Sequence, residues 1–298
     1  MRSSGITCVM PARNAAATIG AAVYSTLRAL PDDGLLIVRD DGSTDGTADV
    51  LRRIRDRRLS VLVGDPIGIA RSANALLDAV DTPFMCRMDA DDICLPWRFR
   101  AQRSVLDSAD LAFSPWLRWR SGTALVKPAM TRRLDGDVAR LELLVENPFL
   151  HSSMIGRTGS IRAIGAYRDV ASEDYDLWLR AATAGLRLRR SGPPVVLYRR
   201  HPRQTSQQSA WLAQRSASTL VLDAWSVLAK QLLGIVPGWF TWRRDGFPAN
   251  AVPPDVSADI ARMRATVLDA SGSGAAEVLA CLRRMERRAG SAATSSTQ

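Results

Sequence analysis

The chain has 298 residues, 46% of them hydrophobic and 23% charged, an ordinary globular composition with room for one large α/β domain and an appendage, or for two smaller domains. Its formal charge is +10, carried almost wholly by arginine, since Lys127 and Lys230 are the only lysines. That excess suits phosphate-bearing ligands or an anionic membrane surface; no recognised nucleic-acid-binding motif accompanies it, and no apolar run reaches the ~18 residues a membrane span needs. The four cysteines, Cys8, Cys86, Cys94 and Cys281, form no CxxC pair. Cys8 and Cys86 lie in apolar strands and read as buried reduced thiols of a cytosolic protein, and Met1-Arg2-Ser3-Ser4 opens without a signal peptide.

Ile6 to Met10 is a short apolar strand closed by Pro11-Ala12-Arg13-Asn14, and Thr18 is placed to cap a helix carrying Ile19, Val23, Leu27 and Leu30. Leu35 to Arg39 is a second strand, followed by the turn Asp40-Asp41-Gly42-Ser43-Thr44-Asp45-Gly46-Thr47 and a helix to Ile54. Leu59 to Val63 is a third, after which Gly68 opens a helix bearing Arg71 and Asn74. The fourth, Phe84 to Met88, runs into Asp89-Ala90-Asp91-Asp92. Strand and helix alternate throughout, which predicts a mainly parallel sheet with right-handed crossovers and a ligand at the carboxyl ends of its strands.

Period-2 alternation puts Asp89 and Asp91 on one side of the chain. Like charges that close call for a cation, and a hard divalent metal bridging a diphosphate is the natural candidate; the plainer alternative is an acidic helix cap before Pro96. There is no GxGxxG and no GxxxxGK[ST], so neither the usual dinucleotide fold nor a P-loop is supported.

Val9 to Asn14, Asp40 to Thr47, Gly68 to Asn74 and Met88 to Ile93, in that order and spacing, resemble the family 2 glycosyltransferases of GT-A fold. The resemblance implies an α/β nucleotide-sugar-binding domain with a mainly parallel central sheet. It also implies inverting transfer from a nucleotide diphosphate sugar, usually UDP-linked, with Mg²⁺ or Mn²⁺ at the DxD. By it Pro11, Ala12, Arg13 and Asn14 border the nucleotide, Asp41 hydrogen-bonds the base, and Arg71 contacts the base or diphosphate. Asp89 and Asp91 hold the ribose and the metal. Position 13, often aromatic in the family, is arginine, whose guanidinium can also stack on a base.

Leu95-Pro96 starts a helix with Arg98, Arg100, Gln102 and Arg103, and Leu111 to Phe113 is another strand. Residues 114 to 150 read as loop and short strands lining an acceptor cleft, with Trp116, Trp119, Lys127 and Pro128. Phe149 to Ile155 resembles the family strand that follows this variable region; His151 either touches donor sugar or acceptor or is a structural hydrogen-bonder. Ser172 is placed to cap a helix that opens Glu173-Asp174-Tyr175-Asp176, whose acids suit a helix N-terminus and match the family's ED motif. The resemblance makes Asp174 the base that removes the acceptor hydroxyl proton, with Glu173 in support. Val195 to Arg200 is a strand ending at His201, a third candidate metal ligand by resemblance.

The resemblance fades from Ser206, which divides the chain into a glycosyltransferase domain at 1–205, a helical appendage at 206–290 and a disordered tail at 291–298. Trp211 to Leu233, Val256 to Leu268 and Ala275 to Arg288 carry helical patterns. Trp239-Phe240-Thr241-Trp242-Arg243-Arg244 is either an interfacial membrane anchor or core packing. The expected partners are a UDP-linked sugar donor and a saccharide or glycolipid acceptor, without nucleic acid, in the cytoplasm or on the inner face of the membrane. A sugar-nucleotide nucleotidyltransferase and a non-catalytic nucleotide-sugar binder are the competing readings; the Gly-rich, Arg/Lys-bearing N-terminal loop of the former is missing.

Overall fold

The structure, a computed structural model, describes residues 5–120, 123, 125–129, 132–201, 218–244 and 252–292. Strands β1 (Ile6–Ala12), β2 (Leu35–Asp41), β3 (Leu59–Gly64) and β4 (Phe84–Arg87) alternate with helices α1 (Ile19–Ala29), α2 (Thr47–Arg53) and α3 (Ile69–Asp78). Next come β5 (Ile93–Cys94), α4 (Arg98–Arg103), β6 (Leu111–Phe113), β7 (Trp116–Arg120), β8 (Val126–Ala129) and α5 (Gly136–Glu142). Then follow β9 (Ile155–Arg157), α6 (Thr158–Ala163), α7 (Glu173–Thr183), β10 (Leu188–Arg190) and β11 (Val196–Arg200).

Seven strands form the main sheet in the order β10-β6-β9-β4-β1-β2-β3. Pairing is parallel except around β9, which runs antiparallel to β4 and β6. A second sheet, β5-β11-β7-β8, is mixed. β1 and β4 are buried on both faces, which is why they read as nearly unbroken apolar runs. Cys8 and Cys86 are cross-strand neighbours there, and all four cysteines are buried free thiols.

One side of the sheet packs on α1, with Ile19, Ala22, Val23 and Leu27 inward. The other buries α3, α5 and α7 in one continuous core with the C-terminal helices α8 (Thr219–Leu233), α9 (Trp239–Arg244), α10 (Pro254–Asp269) and α11 (Ala275–Ala292). The turn between α10 and α11 seats on the start of α5. Ser273 N–H donates to Asp135 Oδ1 at 2.8 Å, and a Cβ on Gly272 would lie 2.2 Å from the Asp135 carbonyl.

Several local expectations change, and one open alternative is decided. The strand expected from Phe149 begins only at Ile155, because His151–Ser153 forms a 3₁₀ turn whose backbone bonds close on Leu150 and His151. Residues 136–142, expected as loop, are helical. Ser172 holds a left-handed φ of +67° and caps nothing with its side chain; Thr18 precedes α1 as expected but likewise gives no side-chain cap. Trp239 is no surface anchor: it is 1% exposed, donates its indole N–H to the Leu144 carbonyl at 3.0 Å and packs edge-on against Trp225, which also stacks on Phe240. Ser291 and Ala292 complete α11, and 293–298 lie outside the described residues, as do 211–217 of the expected long helix.

Candidate active site

The loops after β1 and β2 are joined by short polar contacts. Asn14, at a left-handed φ of +50°, accepts at Oδ1 from Thr44 N–H, and its own N–H donates to Ser43 Oγ, both at 2.9 Å. Ala15 N–H donates to Thr47 Oγ1 at 2.8 Å and Ala16 N–H to Asp45 Oδ2 at 3.0 Å. Gly42 turns this loop with φ +68°, and a Cβ there would come within 2.5 Å of Pro66. Ala12 is buried beneath the loops, Pro11 half-buried, and Arg13 exposed at their rim.

Asp41 is 4% exposed and receives the N–H groups of Ile67 at 2.9 Å and Gly68 at 3.0 Å. Burial opposes its ionisation, but those N–H groups, Ser72 and the nearby Arg39 outweigh it and hold the carboxyl below its ordinary value. It therefore fixes the loop that leads into α3, an assignment the motif alone does not disclose. Arg71, on the first turn of α3, forms an exposed ion pair with Asp169 at 2.9 Å.

The three acids after β4 have three different environments. Asp89 Oδ1 accepts from Arg87 Nε at 3.1 Å. Asp91 Oδ2 lies 2.9 Å from His201 Nε2, which links the end of β4 to the end of β11. Burial and then the charge of Asp89 push the Asp91 carboxyl up, with His201 pulling the other way. Asp92 is fully buried, accepting from Ser152 Oγ at 2.7 Å and from Arg199 N–H at 2.8 Å, and burial followed by its two acidic neighbours raises its carboxyl well above the ordinary range. Arg199 Nε donates to the Asp91 carbonyl at 2.7 Å while its guanidinium stacks on Trp119.

Burial and the Asp89 charge thus raise the cost of ionising Asp91, with Arg87 and His201 the basic groups at hand, and a hard divalent cation fits that oxygen-and-nitrogen donor set.

At the start of α7, Asp174 Oδ2 accepts from Asn147 Nδ2 at 3.0 Å, and Asn147 is itself fixed by Phe149 N–H on its Oδ1 at 3.2 Å. Glu173 is 6% exposed, and burial followed by the Asp174 charge pushes it up to about 8. Its Oε1 lies 3.8 Å from His151 Nδ1, and His151 Nε2 lies 2.9 Å from the Tyr167 hydroxyl. Burial and then Arg87 keep the imidazole well below its ordinary pKa, so His151 is a neutral structural hydrogen-bonder. Asp176 is fully buried between Arg168 and Arg180.

Arg87 joins the two acidic groups. It is 1% exposed, touches Asp89, lowers the Glu173 carboxyl, and keeps Nη1 without a hydrogen-bond partner among the described residues. Arg87, Asn147 and Tyr167 were not among the residues expected from the sequence. A lone arginine inside the apolar strand Phe84 to Met88 was the readable signal for the first; the others lie where the pattern is irregular.

A mainly parallel sheet with acids at the end of β4 and the start of α7 is an arrangement of GT-A type, and the comparisons agree on family and fold. The Glycosyl transferase family 2 description matches residues 7–163, just over half of the chain, and the chain belongs to that family. Succinoglycan biosynthesis protein ExoU of Rhizobium meliloti is 30% identical over 204 residues, covering 60% of this chain and 57% of its own. Amylovoran biosynthesis glycosyltransferase AmsE of Erwinia amylovora is 30% identical over 128 residues, 40% and 46% of the two chains. The chain thus spans about half the length of these relatives. Among solved structures, S. aureus TarS 1-349 in complex with UDP-GlcNAc superposes with a TM-score of 0.60 at 14% identity over 96% of this chain and 89% of that one. Mannosyltransferase PcManGT from Pyrobaculum calidifontis, in complex with GDP-Man and Mn2+, gives 0.56 at 17% over 97% and 83%. At that identity these two show the fold alone.

Proposed function

We propose that this protein is an inverting, metal-dependent glycosyltransferase that moves a sugar from a nucleotide diphosphate donor, UDP-linked, to a hydroxyl of a saccharide or glycolipid acceptor in cell-surface polysaccharide assembly. The observation that carries the reading is the separation of two acids by partner: Asp91 with an imidazole, Asp174 with a neutral amide. An acid with an imidazole and a second carboxylate beside it suits a cation. One whose Oδ2 is oriented by an amide is aimed as a proton acceptor.

In this reading residues 1–205 form the catalytic domain, with the helices of 206–290 built against it. Pro11, Ala12, Arg13 and Asn14 border the nucleotide, Asp41 shapes that pocket by ordering the loop at Ile67 and Gly68, and Arg71 and Asp89 lie toward the diphosphate side. Mg²⁺ or Mn²⁺ would be held by Asp89, Asp91 and His201, supplying positive charge against the departing diphosphate. Asp174 takes the proton from the acceptor hydroxyl as it attacks, and Asn147 fixes the direction of its Oδ2. Glu173, protonated at neutral pH, adds no second negative charge beside that base. The protein works at the cytoplasmic face of the membrane, peripherally; no helix among the described residues is long and apolar enough to cross one. Relatives named for exopolysaccharide biosynthesis support the pathway class, and a relative from Escherichia coli at 24% identity, a "UDP-Glc:alpha-D-GlcNAc-diphosphoundecaprenol beta-1,3-glucosyltransferase", supports a UDP donor and a lipid-linked acceptor.

Measuring nucleotide release from a panel of UDP- and GDP-sugars, with Mn²⁺ and with chelator, tests the reading. Metal-dependent UDP release from one UDP-sugar is expected. Release from GDP-sugars only would change the donor, and full activity in chelator would remove the metal from the scheme.

A further inference from the structure

Of the motif Gly68 to Asn74, the catalytic reading uses Arg71 and leaves Asn74 without a role. Asparagine is a poor helix former, yet Asn74 stands in the middle of α3. Its side chain is turned to a distant segment. Nδ2 donates to the Tyr167 carbonyl at 2.8 Å, and Oδ1 accepts from Tyr167 N–H at 2.9 Å. The amide thus gives a donor and an acceptor to the backbone of one residue 93 positions away. One turn earlier on the same face of α3, Arg71 pairs with Asp169. Segment 164–172 is pinned to α3 at two points.

That segment follows a path its own residues do not favour. Ala166 and Ser172 hold left-handed φ values of +53° and +67°, which residues other than glycine keep only when neighbours impose them. From the α7 side Arg180 donates to the Ile164 and Ala166 carbonyls. From the α3 side the anchors are Asn74 and Arg71. Ser172 is followed at once by Glu173 and Asp174, so whatever sets the path of 164–172 also sets where α7 opens. Tyr167 adds a second link: its hydroxyl lies 2.9 Å from His151 Nε2, and His151 Nδ1 lies 3.8 Å from Glu173 Oε1. The entry to α3 is in turn fixed by Asp41 on the N–H groups of Ile67 and Gly68. Helix α3 therefore spans from the loop beside the expected nucleotide pocket to the segment that delivers α7.

We propose that Asn74 is a positioning residue for the catalytic base: by clamping the Tyr167 backbone to α3 it sets the start of α7, and with it Asp174, relative to the donor pocket. This role rests on the reading of Asp174 as the base that takes the acceptor proton.

The test compares Asn74→Ala with wild type, both as the full chain. Amide hydrogen exchange over 165–172 should speed up about ten-fold or more, since Tyr167 N–H loses its acceptor. Affinity for UDP with Mn²⁺, read by calorimetry, should change little, because the loops after β1 and β2 keep their own contacts. Turnover, read as UDP released from the UDP-sugar with the highest wild-type rate in the donor panel, should fall about 10- to 100-fold, the scale of a small misplacement of a reacting group. A merely structural clamp would also loosen the segment, so the double variant decides. Acting through Asp174, Asn74→Ala combined with Asp174→Asn should turn over no more slowly than Asp174→Asn alone. Asn74→Asp keeps an acceptor for Tyr167 N–H, should give a smaller loss, and stands in where the alanine variant does not fold. Unchanged exchange over 165–172 or unchanged turnover overturns the proposal. So does UDP affinity lost in step with turnover, which would place Asn74 in the donor pocket. Losses that add up in the double variant overturn it too, and leave Asp174 as the base. Near-normal turnover of Asp174→Asn alone removes the base, and the role of Asn74 falls with it.

Discussion

The acids after β4 and those opening α7 look alike in sequence, yet the protein treats them in opposite ways. In each group one acid is fully buried and one is only partly so. Asp176 is buried between two guanidinium groups, whereas Asp92 is buried against a hydroxyl and a backbone N–H. The partly buried members differ as well: Asp91 has His201, and Asp174 has Asn147. Charge compensation at α7 is thus built in from the surrounding helices and completes the fold. At β4 it is incomplete, and burial followed by neighbouring acids holds the Asp91 and Asp92 carboxyls above their ordinary values. A site whose charge balances only with a cation is the kind of site that binds one.

The largest effect should come from removing that incompleteness. Asp91→Ala is expected to abolish Mn²⁺-dependent UDP binding while the circular dichroism spectrum stays that of wild type. Calorimetry showing equal affinity with Mn²⁺ present would take Asp91 out of the metal site. Next in size is Asp174→Asn, which keeps shape but removes basicity, so turnover should fall by about 10²-fold or more with little change in UDP affinity. Near-normal turnover would move the base elsewhere; equal loss of affinity would put Asp174 on the donor side. Asn147→Ala should reproduce a part of that loss, because Asp174 then lacks its amide partner.

The buried pair members sharpen the contrast through stability. Asp176→Asn leaves Arg168 and Arg180 without their charge partner and should cost about 2–4 kcal/mol, toward the lower side of buried-pair losses because Arg168 is partly exposed. Asp92→Asn should change stability by no more than about 1 kcal/mol, since a protonated acid and an amide both offer one acceptor and one donor. Ser152 Oγ can rotate to suit either. Chemical denaturation of both variants decides the matter, and similar losses would erase the proposed difference.

Much of this arrangement was readable beforehand, for a definite reason. β1, β2 and β4 bury most of their side chains and β3 is a half-buried edge strand, yet apolar runs marked all four, and the polar clusters at their ends marked the crevice. The α7 acids were found by their resemblance to the family's ED motif, and Leu177, Trp178 and Ala181 do form the buried helical face expected beside them. Other features depend on pairing across long separations. Asn147 meets Asp174 through an irregular turn, and the second sheet is assembled from β5, β7, β8 and β11, which no short-range pattern connects. The Trp239 cluster left two readings open because aromatic and basic residues side by side suit a membrane surface and a buried helix junction equally well. Its indole N–H on the Leu144 carbonyl is what decides between them.

The last expected effect concerns an acid with neither kind of compensation. Glu142, at the end of α5, is fully buried with both carboxyl oxygens lacking a hydrogen-bond partner, while the neighbouring Arg190 is bidentate to Glu277. Burial and then the Glu277 charge push Glu142 up to about 8 from an ordinary 4.5. Between those values the folded protein keeps a proton that the unfolded chain has released. Its contribution to stability is therefore full below about pH 4.5, falls as pH rises to about 8, and is flat above. Glu173 titrates with the same sign, so the wild-type slope has more than one source and only the difference from a variant isolates Glu142. Glu142→Gln removes the charge at every pH and should match wild type at pH 5 while gaining about 1–2 kcal/mol at pH 8. Denaturant midpoints at the two pH values measure this. No gain at pH 8 would mean that the carboxylate is ionised and already neutralised. The groups in place to share a cation with it are Glu146 and Cys281, whose ligand atoms lie with its own within 4.8 Å of one another, and Arg284, whose Nη2 is 3.6 Å from Glu146. Adding chelator to the wild type at pH 8 separates these: a loss of stability points to a bound metal, and no change leaves Arg284 as the neutralising charge.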